Sequence, residues 1–168
     1  MWMAENLNYE VENSYCFENS VDSCAKYGRL YTWAAAVGKS EEECGHGKDC
    51  NLTEPIRGIC PEGWPLPSSD EWKTLYSAME NNPNAMLAKG VVNWPNATDA
   101  YGFSALPAGS FDSETFVFAG SFADFWSSTE YGNEDADYVY AGAIFWNSHV
   151  DFNSYGKENA FSVRCVQD

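Results

Sequence analysis

The sequence has few basic residues. Its 168 residues include 9 Lys and Arg against 25 Asp and Glu, which gives a formal net charge of −16. Charged residues make up 20% of the chain, below the roughly 25% of ordinary soluble domains, so a shortage of bases causes the acidity. Proteins bind nucleic-acid backbones and anionic membrane surfaces through clusters of Lys and Arg. We therefore exclude nucleic acid and anionic membrane surfaces as partners.

A long apolar segment is also missing. The most apolar stretch, Leu30–Val37, is short and is interrupted by Thr32, whereas a membrane helix needs about 20 apolar residues. We therefore expect no membrane insertion of this domain. The residues after Met1 have neither the basic start nor the apolar middle of a secretory leader. If the protein is exported, we expect its leader to be absent from these 168 residues.

Histidine is scarce, and no Cys-x-x-Cys pair occurs. The segment Cys44–Cys50 places His46 between two thiols, and the other histidine is His149. Structural zinc needs four ligands, commonly with such closely spaced cysteine pairs, so we favour a disulfide over zinc here. His149 precedes Val150 and Asp151, but a catalytic triad needs a geometry that spacing does not show. We therefore expect no metal site and a protein that is not an enzyme.

Acidic residues cluster in one segment, which contains Glu130, Glu134, Asp135 and Asp137. Calcium takes six to eight oxygen ligands, and carboxylates are among its usual ligands. The cluster does not have the spacing of an EF-hand loop, so we interpret it as a solvated loop. We expect no cofactor, with calcium as the alternative that the cluster leaves open.

The chain has six cysteines, which favours disulfides and an oxidising compartment. Six cysteines allow 15 pairings, and the sequence alone does not choose among them. Proximity along the chain favours Cys16–Cys24 and Cys44–Cys50, which leaves Cys60–Cys165. We therefore expect an extracellular or cell-surface protein.

Helix signals occur in the first half of the chain. An apolar i, i+3, i+4, i+7 pattern predicts a helix over Ser23–Val37. Ser68 and Glu71 have the spacing of a capping box and predict the start of a second helix, which Asn82-Pro83 ends. A further helical turn is predicted at Ala85–Lys89.

Strand signals dominate the second half. The predicted strands are Phe116–Phe118, Tyr138–Phe145, His149–Phe152 and Phe161–Val166. Turns are predicted at Asn147-Ser148 and Ser154–Lys157. Helices followed by strands indicate a single α+β domain over residues 1–168, with two main helices packed on a twisted antiparallel sheet.

The chain is rich in aromatic residues, with 10 Phe, 10 Tyr and 7 Trp. Most of these rings belong in a core or between neighbouring strands. A smaller set lies in or beside predicted turns, near polar side chains, as in proteins that stack rings on sugars or recognise protein surfaces. The candidate ligand-binding residues are Trp126, Tyr131, Trp146, Tyr155, Asp124 and Asn147.

Six segments of the chain carry a recognisable pattern. They are Trp2–Tyr9, Gly28–Ala36, Gly58–Ser68, Asp99–Gly109, Phe125–Glu130 and Phe161–Cys165. In this order they resemble the Fibrobacter succinogenes major paralogous domain, a family of secreted bacterial proteins. The resemblance extends from Trp2 to Cys165. It implies a C-type lectin-like fold, in the form found in formylglycine-generating enzymes.

The resemblance has further implications for individual residues. Leu66–Trp72 is similar to the start of a helix in that superfamily, and Pro65 stands where the family usually has histidine. Lectin-like folds commonly join a helix region to the final strand, which supports the pairing Cys60–Cys165. The resemblance and the aromatic residues together favour a non-catalytic binding or adhesion domain for an extracellular glycan or a surface protein. The alternatives are an enzyme on the same fold and a structural surface module.

Overall fold

The computed structural model of the protein describes residues 1–144 and 147–167. Five short α-helices lie between Val21 and Met86: α1 (Val21–Tyr27), α2 (Trp33–Ala36), α3 (Glu41–Cys44), α4 (Ser69–Ala78) and α5 (Pro83–Met86); a 3-10 helix over Phe17–Asn19 precedes them. The strands are β1 (Ser14–Tyr15), β2 (Leu30–Thr32), β3 (Ser110–Phe111), β4 (Phe116–Val117), β5 (Phe122–Tyr131), β6 (Asp135–Ile144), β7 (Asn147–Gly156) and β8 (Ala160–Ser162). None of the described helices is long and apolar enough to cross a membrane.

The eight strands form one sheet, in a mixed α and β architecture. Its main order is β1-β2-β8-β5-β6-β7, and the β3–β4 hairpin joins it at β8. The expected antiparallel arrangement holds for every pair except β5 and β8, which run parallel where Phe125 faces Ser162. The last three strands in this order, β5, β6 and β7, are each ten residues long and make the largest part of the sheet.

Alternation of side chains gives β5 and β6 two different faces. On one face, Phe125 and Val139 pack against Trp72 of α4, with 5.2 Å between the Trp72 and Phe125 ring centroids. On the other face, Trp126 packs against Phe161 at 4.4 Å between ring centroids. The core therefore lies on both sides of β5, and the same alternation places Asp124 on the Trp126 face.

The predicted capping box of α4 is confirmed. The Ser68 side chain accepts a hydrogen bond from the Glu71 amide, and the Glu71 carboxylate accepts one from the Ser68 amide.

The single helix predicted over Ser23–Val37 is wrong. α1 ends at Tyr27, and Gly28 follows with φ +77°, where a Cβ would lie 2.8 Å from the Asn6 side chain. The chain then forms β2, because pairing with β8 overrides the local helical pattern.

The turn predicted at Asn147-Ser148 is wrong, and the turn predicted at Ser154–Lys157 begins only at Lys157, after the end of β7. Asn147 and Ser148 begin that strand, and Ser154 and Tyr155 still belong to it. β7 pairs with β6 over its whole length, from Asn147 opposite Ile144 to Gly156 opposite Asp135. Polar residues occur in this strand because part of one sheet face is exposed. The predicted strand end at Phe145 lies outside the described residues.

Three disulfides confirm the expected pairing. Cys16 is joined to Cys24, Cys44 to Cys50, and Cys60 to Cys165. The third bridge lies beside a pairing of the two chain ends, in which the Met3 amide donates to the Cys165 carbonyl at 3.1 Å and the Leu7 amide donates to Val163 at 2.8 Å.

Lys157 joins three loops through one buried ammonium group. The side chain is 0% exposed, and its Nζ donates to Glu130 Oε1 at 2.6 Å, to the Lys48 carbonyl at 2.8 Å and to the Gly132 carbonyl at 2.9 Å. The Trp33 ring lies 4.8 Å from Nζ and adds a cation–π contact. The loop before Cys50, the β5–β6 turn and the β7–β8 turn are therefore held at one point.

Replacing this ammonium group is expected to destabilise the protein. Lys157→Met keeps most of the side-chain volume but removes the ammonium donor from Glu130 and from the Lys48, Gly132 and Asn133 carbonyls. Because Glu130 is 19% exposed and water can reach it, we expect a loss of about 2 kcal/mol, below the 3–5 kcal/mol for a fully buried pair. Urea denaturation measures this, with Lys73→Met on the exposed surface of α4 as the control. Equal midpoints for the two variants would contradict the expectation.

A tyrosine-lined pocket as the candidate binding site

A pocket of about 320 Å³ lies on the Trp126 face of the sheet. Tyr138 and Tyr140 are two apart in β6 and therefore point to the same side, and Asp124 lies directly opposite Tyr140 in β5. The β3–β4 hairpin forms the opposite rim. The lining residues are Ser110, Asp112, Val117, Phe118, Asp124, Tyr138, Tyr140, Tyr155, Asn159 and Phe161.

Asp124 is the most unusual group in this pocket. Asp124 is only 4% exposed, and its carboxyl accepts a hydrogen bond from the Ser110 side chain. Within the described chain, its Oδ1 has no hydrogen-bond partner. Burial raises the pKa of Asp124 from 3.8 to about 7, because the charged form loses hydration. The pocket thus contains a buried acceptor that lacks a donor.

Aromatic rings surround this carboxyl group. The ring centroids of Tyr138 and Tyr155 are 5.8 Å apart, and those of Tyr138 and Phe161 are 4.9 Å apart. Burial and, second, the charge of Asp124 raise the pKa of Tyr138 to about 12, and the same causes raise the pKa of Tyr140. Both phenols therefore stay protonated and able to donate. Tyr155 is 47% exposed, so the pocket is open to solvent on the side where this ring lies.

The charge of the pocket is negative. Asp112 and Asp124 line it, and Asp151 of β7 lies opposite Tyr140 on the same sheet face. The lining residues that the structure describes include no Lys or Arg. The geometry therefore combines ring faces, a carboxyl group without a donor and a negative potential.

The pocket and the three disulfides lie within a segment that a family model matches. The model of the Fibrobacter succinogenes major domain matches residues 1–167. The chain belongs to this family. Comparison with curated proteins and with solved structures gave no significant match in either set. The resemblance of the six sequence segments to this family is thereby confirmed.

Two of the residues predicted for ligand binding meet in the pocket of this Fibrobacter succinogenes major domain. Asp124 and Tyr155 both line it, although Tyr155 lies in a strand and not in a turn. Sequence reasoning missed Tyr138 and Tyr140. The signal that could have found them is their i, i+2 spacing in a strand, which places both rings on one face.

The other predicted ligand residues lie elsewhere in the domain. Trp126 is 0% exposed, and its indole donates to the Tyr31 carbonyl at 2.7 Å, so the ring lies in the core and outside the pocket. Tyr131 is exposed at the end of β5, outside the pocket. Asn147 is exposed at the start of β7, also outside it. Trp146 lies outside the described residues.

A second, acidic groove of about 760 Å³ lies on the surface beside α4. It includes Glu130 and Asp137 from the predicted calcium cluster. The Glu130 carboxylate accepts hydrogen bonds from Lys157 and from the Cys50 and Asn51 amides, at 2.7 and 2.9 Å for the amides. Although partial burial acts to raise the pKa of Glu130, these bonds hold it below its ordinary value. Among the described residues, no group of three or more His, Cys, Asp or Glu is arranged to hold a metal ion.

The cysteines of this family domain all lie in the described chain, and none is free. Cys44 and Cys50 are joined to each other, so they do not supply the thiolates of the zinc alternative. His46 instead lies with its Nδ1 2.9 Å from Glu158 Oε2. His149 stacks on Tyr140, with ring centroids 5.0 Å apart. Within the described chain, all six cysteines are therefore bridged and none offers a free thiolate.

Proposed function

We propose that this protein is a non-catalytic, extracellular binding domain whose ligand is a glycan held in the tyrosine-lined pocket. The observation that carries the proposal is the buried Asp124 carboxyl group, whose Oδ1 has no donor and lies among aromatic rings. A sugar supplies what is missing, because its hydroxyl groups donate to carboxylates and its apolar face stacks on rings. Partly exposed Tyr155 offers such a ring.

The size of the pocket limits how much of a glycan can enter it. Its volume of about 320 Å³ is near the lower end of the range for small-molecule sites, which is about 300–1,000 Å³. We infer that one sugar ring enters, while the rest of a glycan chain remains over the exposed face of β7. The rim residue Phe118 is exposed and available for contact with a neighbouring unit.

A C-type lectin-like arrangement and an extracellular location belong to the same proposal. Three disulfides support an oxidising compartment. The pairing of Trp2 with Val166 and the bridge from Cys60 to Cys165 support a lectin-like closure of the chain ends. The oxidised state of all six cysteines favours binding over the thiolate chemistry of the enzyme alternative.

Truncating the exposed ring is expected to weaken glycan binding. The wild-type protein, screened against plant cell-wall and bacterial-surface glycans, should bind at least one class, and Tyr155→Ala should lower the affinity about tenfold or more. Tyr101→Ala removes an exposed tyrosine from a loop outside the pocket and should leave the affinity unchanged. Isothermal titration calorimetry measures both.

Two results would overturn the proposed function. One is a folded wild-type protein that binds no glycan in the panel. The other is a glycan whose affinity is equally unaffected by Tyr155→Ala and by Asp124→Asn, since the ligand would then lie outside the pocket.

A further inference from the structure

The chemistry of the tyrosine-lined pocket points to one class of sugar. We propose that the pocket selects a sugar unit that carries a protonated primary amine, an amino sugar without its N-acetyl group. This inference rests on the proposed glycan-binding function and adds a charge to the ligand. Asp124 is the group that would accept hydrogen bonds from the ammonium group.

The first argument is the state of the Asp124 carboxyl group. A buried carboxylate is costly unless a partner of opposite charge and hydrogen bonds compensate for its lost hydration. Asp124 has a hydrogen bond from Ser110, but its Oδ1 is without a partner in the described part of the chain. A neutral hydroxyl supplies one hydrogen bond, whereas an ammonium group supplies several and also the charge.

The second argument is the arrangement of the rings. Tyr138, Tyr140 and Tyr155 line the same pocket as Asp124, and the faces of aromatic rings attract cations. Neither Lys nor Arg contributes to the described lining, so no side chain of that kind competes for this position. A carboxyl group next to several tyrosines is a suitable environment for an ammonium group.

The third argument is the surrounding charge. Asp112 lines the pocket, Asp151 lies opposite Tyr140, and the whole chain carries a net charge of −16. This potential raises the local concentration of a cationic ligand and repels acidic glycans. An N-acetyl group would remove the charge and add bulk in a pocket of about 320 Å³.

Three β-1,4-linked tetrasaccharides test this inference, because they differ only at carbon 2. They are the tetramers of glucosamine, of N-acetylglucosamine and of glucose. At neutral pH we expect the glucosamine tetramer to bind about tenfold more tightly than either of the others, since a hydrogen bond between charged groups exceeds a neutral one by about 1.4 kcal/mol or more. Asp124→Asn should reduce this preference to about twofold or less.

Two controls distinguish specific binding in the pocket from the nonspecific attraction of any cation to an acidic protein. Asp137→Asn removes the same charge from β6, but Asp137 lines the acidic groove and not the pocket, so the preference should remain. Tetralysine carries positive charges without sugar rings and should bind more weakly than the glucosamine tetramer. If tetralysine binds as tightly, or if Asp137→Asn abolishes the preference as fully as Asp124→Asn, the inference is wrong.

The remaining outcomes separate this inference from the proposed function. Equal binding of the three tetrasaccharides would overturn the amine requirement and leave the glycan-binding function standing. The same holds if none of the three binds while another glycan binds and is sensitive to Tyr155→Ala. Absence of binding to every glycan would overturn both proposals.

Discussion

Removing the Cys60–Cys165 bridge is expected to lower the free energy of unfolding by about 5 kcal/mol. This bridge spans 105 residues, and the chain-entropy model assigns a closed loop of that length about 4.7 kcal/mol. Both cysteines are fully buried, so their replacement by Ala also leaves a small cavity. The loop contains α4, α5 and every strand from β3 to β8. Its closure therefore restricts most of the unfolded chain.

The Cys16–Cys24 bridge provides the matched comparison. It spans 8 residues, for which the same model gives about 2.5 kcal/mol. For a domain of this size, the difference between the two double Cys→Ala variants corresponds to about 5–10 °C in Tm. Differential scanning calorimetry of both variants measures it. Equal values of Tm, or a lower Tm for the variant without Cys16 and Cys24, would contradict the model.

The second large effect is a pH-dependent gain in stability from Asp124→Asn. In the unfolded chain the pKa of this carboxyl is near 3.8, and in the folded protein burial raises it to about 7. Well below pH 4 the group is protonated in both states and costs nothing. Between these two values only the unfolded state loses the proton, so the folded protein becomes less stable as pH rises. Above pH 7 the full cost is present.

The variant should therefore become more stable than the wild type as pH rises. From pH 5 to pH 8 we expect the stability of Asp124→Asn to increase by about 2.6 kcal/mol relative to the wild type, at 1.36 kcal/mol per pKa unit. Urea denaturation at both pH values measures the change. Asp137→Asn is the control, and its stability should change with pH in the same way as that of the wild type. If the stability of Asp124→Asn also runs parallel to that of the wild type, folding does not raise the pKa of Asp124.

The two predictions on Asp124 together distinguish a binding residue from a structural one. Ionisation of the buried Asp124 carboxyl lowers the free energy of unfolding. A ligand that donates hydrogen bonds to the carboxylate should recover part of this loss. We therefore expect the glucosamine tetramer to raise the stability of the wild type more than that of Asp124→Asn. A residue that served only the core would show the same pH dependence, but the tetramer would then stabilise the wild type and Asp124→Asn equally.

Local signals in the sequence predicted those elements that depend on neighbouring residues. The capping box of Ser68 and Glu71 requires only three residues of spacing, and the structure has it. The bridges Cys16–Cys24 and Cys44–Cys50 follow from proximity in the same way. The helix over Ser23–Val37 failed because the pairing of β2 with β8 joins residues about 130 positions apart, beyond the reach of any local pattern.

The candidate site was predicted only in part, because its residues come together through long-range strand pairing. Asp124 and Tyr155 were selected as polar and aromatic residues near expected turns, and the structure brings both to one pocket. What the sequence could not show is which face of each strand is covered. Trp126 and Asp124 are two apart in β5 and share a face, yet one packs beneath Phe161 and the other lines a pocket, because the cover above them differs.

The Cys60–Cys165 bridge also determines how the domain would respond to mechanical force. Tension applied at the two chain ends would pass from residue 1 to Cys60, cross the sulfur atoms to Cys165 and leave through the C-terminal residues. Residues 61–164 lie off this path, and they include every residue that lines the tyrosine pocket. While the bridge is intact, pulling on the chain ends therefore cannot extend the backbone of the strands that line the pocket.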